Sequence, residues 1–376
     1  MRLAALLLLA GAQVASADVI DRAVVVGRVD GGTWTDAATE ARIDQKAELA
    51  AIVIAHRGKQ RIVLAPSGVD ALKLAGRKVA AKELAHLDAK SIRWSTVEPH
   101  GFRESTAKNG ATSDFYSNVS TENKTFGKWL GYDAIDYFEH VFAEHGDPII
   151  TAQIKPSEPG AVQVPGLGTL RFKVEVTFAD GTSIASAGAE ATDTFGILPA
   201  VHRVSIRKSD DFIGWLGAYL LVPEVFGSAG PGANHQTERF VGADCADVMV
   251  GAMRRNGKKL AYTNVAGLPG YSTTIAGAVE IDDHGMPATE IPGVKVGDLI
   301  RIDYGGVLRH HTPRDWDHVA ALWEDRSDPK GPLKGAADGK LDGFDLVIHV
   351  GHPRLKIEPL SEQSPATIDV LRWRTK

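Results

Sequence analysis

The sequence predicts an α+β protein in two units: a β-rich, sandwich-like domain over residues 18–208 and a unit of helices packed on strands over 209–376. Three observations predict this. Thirty-nine glycines and 18 prolines among 376 residues imply frequent turns, and so more strand and loop than helix. Leu170, Phe172, Val174, Val176 and Phe178 alternate with Arg171, Lys173, Glu175 and Thr177, the period of two expected of a strand with one buried face. From Phe212 the spacing changes, and Phe212, Trp215, Leu216, Tyr219 and Leu220 recur as on one face of a helix.

The chain opens with a targeting signal. Arg2 supplies a positive start, and Leu3 to Gly11 is an apolar run too short to span a bilayer. Ala15-Ser16-Ala17 places small residues where a signal peptidase reads them. Cleavage near Ala17 predicts an exported protein, periplasmic or secreted. No later apolar stretch is long enough to anchor it, so no integral membrane anchor is expected. A formal net charge of -5 supplies no basic field for nucleic acid or anionic lipid.

The elements of the first unit follow from local patterns. Ala47 to Ala55 and Gln60 to Ala65, divided by Arg57-Gly58-Lys59, predict a hairpin. The strand through Val174 meets Asp180-Gly181, a tight turn, and Ser183 to Ala187 returns beside it. Asp133 to His145 predicts a helix, with Ile135, Phe138, Val141 and Phe142 on one face and Gly146 after it. Val79 to Leu87 predicts a shorter helix.

In the second unit, Ser209-Asp210 stands where a helix cap is expected, and Pro223 ends that helix. A second helix begins at or near Cys245, carries Val248, Met249, Ala252 and Met253, turns basic at Arg254-Arg255 and stops at Gly257. Strands are expected at Val296 to Ile302, Asp317 to Trp323 and Phe344 to His349.

The chemistry centres on the only cysteine, Cys245. In an oxidising compartment a lone cysteine has no partner within the chain, so it is either apolar filler or a working thiol. A thiol at a helix N-terminus meets free backbone N–H groups and the positive end of the dipole, which favour the thiolate. Asp244 and Asp247 oppose it, so a histidine is needed beside it. His318 opens one strand and His349 lies near the end of another, a placement that converges in an antiparallel pair. His318 is then the base, and His349 fixes its tautomer through the other ring nitrogen. His310, His311, Asp315 and His318 form an alternative metal cluster, but their spacing fits no standard zinc pattern.

From Pro223 onward the order of motifs resembles the NlpC/P60 family of papain-like cell-wall cysteine peptidases. Pro223-Glu224-Val225-Phe226-Gly227-Ser228 resembles the family's Pro-Tyr-Val-Trp-Gly-Gly stretch. Asp244-Cys245-Ala246-Asp247 resembles its Asp-Cys-Ser-Gly nucleophile motif. Val296-Gly297-Asp298-Leu299-Ile300, Asp317-His318-Val319-Ala320 and Asp345-Leu346-Val347-Ile348-His349 resemble the turn and strands that follow. The resemblance implies a papain-like catalytic domain, catalysis by Cys245, His318 and His349 without metal or cofactor, and a peptidoglycan or other amide-containing envelope substrate. It implies that Glu224, at a tyrosine position of the family, and Asp244 meet the substrate. The departures are Glu224, Ala246-Asp247, a long loop from Gly257 to Val294 and the extended segment Asp325 to Gly343. Two rivals remain: a transglutaminase-like Cys-His-Asp enzyme with Asp345 third, and a non-catalytic envelope binding protein.

Overall fold

The computed structural model describes residues 19–101, 115–120, 127–158, 160–161, 163–230, 236–305 and 316–374. The expected targeting signal, and His310, His311 and Asp315 of the alternative metal cluster, lie outside the described residues.

Most of the chain folds into sheets, whose central strands, Ala47–Arg57 and Leu299–Asp303 among them, are buried on both faces. One sheet runs in the order Arg77–Lys78, Leu72–Leu74, Trp34–Thr35, Val19–Val29, Ala47–Arg57, Gln60–Ala65, Leu84–His86, with Ile149–Thr151 also on Ala47–Arg57. A second runs Tyr137–Ala143, Ser91–Pro99, Gly168–Thr177, His202–Arg207, Thr39–Arg42, with Ser183–Ala185 on Gly168–Thr177. Leu49, Ala51 and Val53 of the first share a core with Leu170, Phe172 and Val174 of the second. The third sheet is antiparallel throughout, in the order Ser272–Ile281, Ala366–Trp373, Leu299–Asp303, His318–Glu324, Leu346–Gly351, Arg354–Pro359.

The expected α+β chain ending in a papain-like domain is overturned. Strand accounts for 43% of the structure and helix for 9%, which leaves no helical half against which a papain-like sheet would pack. The α-helices among the described residues are Phe212–Gly217 and Cys245–Arg255. Asp211, not Ser209 or Asp210, caps the first by accepting from the Gly214 amide. That helix stops well before Pro223, and Leu221 already has a left-handed backbone, φ 75°.

Asp133 to His145 is not a helix. Its centre, Tyr137–Ala143, pairs antiparallel with Ser91–Pro99. Val141 and Phe142 stay exposed, so the helical spacing of the apolar residues was not a buried face, and β-branched and aromatic side chains suit an edge strand. Val79 to Leu87 forms one 3₁₀ turn, Ala81–Glu83, before the strand Leu84–His86.

The core runs without a break across residue 208. Phe212, Leu216 and Tyr219, then Val248, Met249 and Ala252, then Val319, Ala321 and Ile348 join the same buried cluster as Phe172 and Val174. Tyr116–Ser117 pairs in parallel with Val225–Phe226. Thr169 donates to the Ala218 carbonyl at 2.7 Å, and Asn118 donates to the Gln236 side chain at 2.7 Å. The far face of the third sheet carries Ile300, Ile302, Ala320, Leu322, Val347 and Ile368. Ile291, Val294 and Leu341 pack against it, which gives the long loop and the extended segment a packing role.

Candidate active site

The Cys245 helix forms where the local sequence directs it. Asp244 adopts extended backbone and accepts from the Ala246 amide at 3.0 Å, satisfying one of the free donors of the first turn. Arg254 and Arg255 stand in the last turn, against the negative end of the dipole. Gly257 follows with φ 85°, a backbone that a side chain would strain. Val248, Met249 and Ala252 bury the inner face.

His318 begins a strand paired on one side with Leu299–Asp303, opposite Ile302, and on the other with Leu346–Gly351. In that register Ala320 faces His349, so the two histidines lie diagonally across adjacent strands. Their rings meet edge to face, and His318 Nε2 lies 2.9 Å from His349 Nδ1. His349 Nε2 lies 2.8 Å from Glu358 Oε1 on the next strand. Gln363 donates to the same oxygen at 2.6 Å, and Lys356 pairs with Oε2 at 2.9 Å.

Despite its burial, Glu358 is held down at about 2 by its hydrogen bonds to His349 and Lys356, so it accepts from His349 Nε2–H. In one tautomer His318 Nε2–H donates to His349 Nδ1. The lone pair left over is on His318 Nδ1, the nitrogen a base needs. Burial, then His349 and Lys356, push the His318 pKa well below its ordinary value, so this imidazole is neutral.

The Cys245 thiol is partly buried and lies against the same strand, taking a hydrogen bond from the Val319 backbone. Its side chain is engaged with Asp244, and no hydrogen bond joins it to either histidine. The expected depression of its pKa is overturned. Burial, reinforced by the Asp244 carboxyl and then by Asp247, pushes the thiol well above its ordinary value. The two carboxyls are themselves raised. Asp247 reaches about 8 through burial and the neighbouring Asp244, while accepting from the Ala229 amide at 2.6 Å and from Ser228 Oγ at 3.0 Å. The resting pair is therefore a neutral thiol and a neutral imidazole.

Cys245 opens onto a cavity of about 550 Å³ walled by Trp129, Phe226, Asp247, Asn264 and Trp316. Trp129 comes from the first unit, so both units shape it.

The other sequence-derived candidates fall as follows. Asp244 is buried beside the thiol and holds the Gly227 amide at 2.8 Å. Glu224 does not line the cavity; its carboxylate lies 3.2 Å from His352 Nδ1. Asp345 is fully buried at the other end of the His349 strand, accepting from the Arg326 and Asp342 amides at 2.7 and 2.8 Å. It pins the extended segment and does not touch His318. Sequence reasoning missed Glu358, Gln363 and Tyr304. The Tyr304 ring stacks over His318 at 6.4 Å between centroids, and its hydroxyl donates to Gln363. Among the described residues no group of side chains is arranged to hold a metal ion, and no helix is long and apolar enough to cross a membrane.

Comparison with models of known protein families, with characterised proteins and with solved structures finds no match.

Proposed function

We propose that the protein is an exported cysteine hydrolase that cleaves amide bonds by acyl transfer. The observation that carries this reading is the hydrogen-bonded line from His318 through His349 to Glu358, ending beside the strand against which the Cys245 thiol rests. In the proposed reaction the thiol turns away from Asp244 and toward His318 Nδ1 by rotation about its single χ angle. The proton passes to Nδ1 as sulfur attacks the carbonyl carbon, and the Glu358 carboxylate stabilises the imidazolium through His349. The positive end of the Cys245 helix, with first-turn N–H groups not held by Asp244, stabilises the oxyanion. His318 then protonates the departing amine, and water releases the acyl group. The targeting signal and the resemblance of the motifs from Pro223 onward favour a cell-wall peptide as the substrate.

The test is release of new amines from isolated peptidoglycan by the full-length protein. Cys245→Ala and His318→Ala should each lower the rate by about 10³-fold or more. Full activity in Cys245→Ala would end the reading. The engagement of the thiol with Asp244 in place of His318 favours one alternative, a binding protein whose cavity holds an amide-bearing envelope ligand without cutting it. That reading requires saturable binding by Cys245→Ala and no turnover by the wild type.

A further inference from the structure

A second cavity, of about 640 Å³, is walled in part by Arg22, Arg171, Arg203 and Arg239. Arg171 is 6% exposed. Its Nη2 donates to the carbonyls of Arg239 and Phe240 at 3.1 and 2.9 Å, and among the described residues no carboxylate pairs with it. The neighbouring cations are already served. Arg203, directly opposite Arg171 in the ladder, pairs with Glu40 at 2.5 Å. Arg239 pairs with Asp193 at 3.1 Å. Of the carboxylates in the wall, Asp36 holds the Ala75 amide, and Glu238 is taken by Arg254 and by the Tyr262 hydroxyl.

A buried cation without a counter-charge is costly, and one set opposite a second arginine more so. The remainder of the wall is largely apolar, with Val25, Ile197, Leu198, Pro199 and Val201. We infer that this cavity binds a small ligand with one anionic head, a carboxylate or a phosphate, on an apolar body, the head neutralising Arg171. Arg22, exposed at the rim, adds a second cation on the approach. Burial lowers the Arg171 pKa to about 10, a cost that an anion in the cavity relieves.

Calorimetric titration of the full-length protein at low ionic strength tests this, with hexanoate, hexyl phosphate and the neutral hexanamide as probes. The expected result is saturable binding of an anionic probe, with hexanamide weaker by about tenfold or more. The tighter of the two anions identifies the head group. Arg171→Met should weaken anion binding by about tenfold or more. Ala200→Trp, at an exposed position of the wall, should block the cavity even if the Arg171 variant does not fold. Hexanamide binding as tightly as hexanoate overturns the inference. So does wild-type affinity in Ala200→Trp, or no saturable binding of either anion.

Discussion

Replacing Glu358 by Gln keeps an oxygen for His349 Nε2–H and removes the negative charge. In the wild type that charge lies 2.8 Å from His349 and, on the proposed relay, supports through it the imidazolium formed when His318 takes the thiol proton. A hydrogen bond to a charged group contributes about 1.5–3 kcal/mol, which corresponds to about 10- to 150-fold in rate or population. The assay needs no knowledge of the substrate. Cys245 is the only cysteine, so alkylation by iodoacetamide, followed by intact mass, reports on it alone. If the relay holds, the reactive species at neutral pH is the thiolate–imidazolium pair, and Glu358→Gln should slow alkylation within that range. At high pH bulk hydroxide makes the thiolate without His318, and the two proteins should converge. Equal rates at pH 7 would refute the relay. A uniform loss at all pH values would instead point to a distorted cavity.

Two further outcomes are expected. Asp247 titrates near 8; below that pH it is neutral, like asparagine, and above it the charge opposes the thiolate. Asp247→Asn should therefore leave the alkylation rate at pH 7 close to wild type and raise it severalfold above pH 9, read in the same pH series. A fragment from Ser209 to Lys376 should lack a cooperative thermal transition by circular dichroism, because it uncovers Leu216, Tyr219 and Val248 and loses the strand pairing at Val225–Phe226.

What the sequence made legible was whatever local chemistry decides. The strand through Val174, the hairpin at Arg57-Gly58-Lys59 and the capped helix at Cys245 each carry their own signal in turn residues, alternation or end charges. Tyr137–Ala143 does not, because its apolar spacing fits a helix and only its pairing with Ser91–Pro99 makes it a strand. Cys245, His318 and His349 were visible because a lone cysteine and strand-end histidines are rare. Glu358 was not, since its role depends on register: Lys356 stands opposite His349, which puts Glu358 two residues along on the same face. Arg171 occupies a polar position of a clean alternation, which reads as solvent-facing, yet the sheet buries it.

The raised thiol pKa bears on where such an enzyme works. In an oxidising compartment a standing thiolate is the form that oxidants attack first. With Asp244 and Asp247 beside it and little water around it, Cys245 stays protonated at rest. On the proposed mechanism its activation rests on His318 and on the charge two links away at Glu358, both fixed by strand pairing. On the proposed mechanism a carbonyl in the cavity displaces water, and the thiol proton passes to His318 Nδ1 as sulfur attacks. The first unit takes part in this, because Trp129 closes one side of the cavity and Asn118 holds the Gly227 carbonyl at 3.0 Å, next to the amide that binds Asp244. The carboxyl that restrains the thiol is thus positioned from across residue 208, which ties the reactivity of Cys245 to the integrity of the shared core.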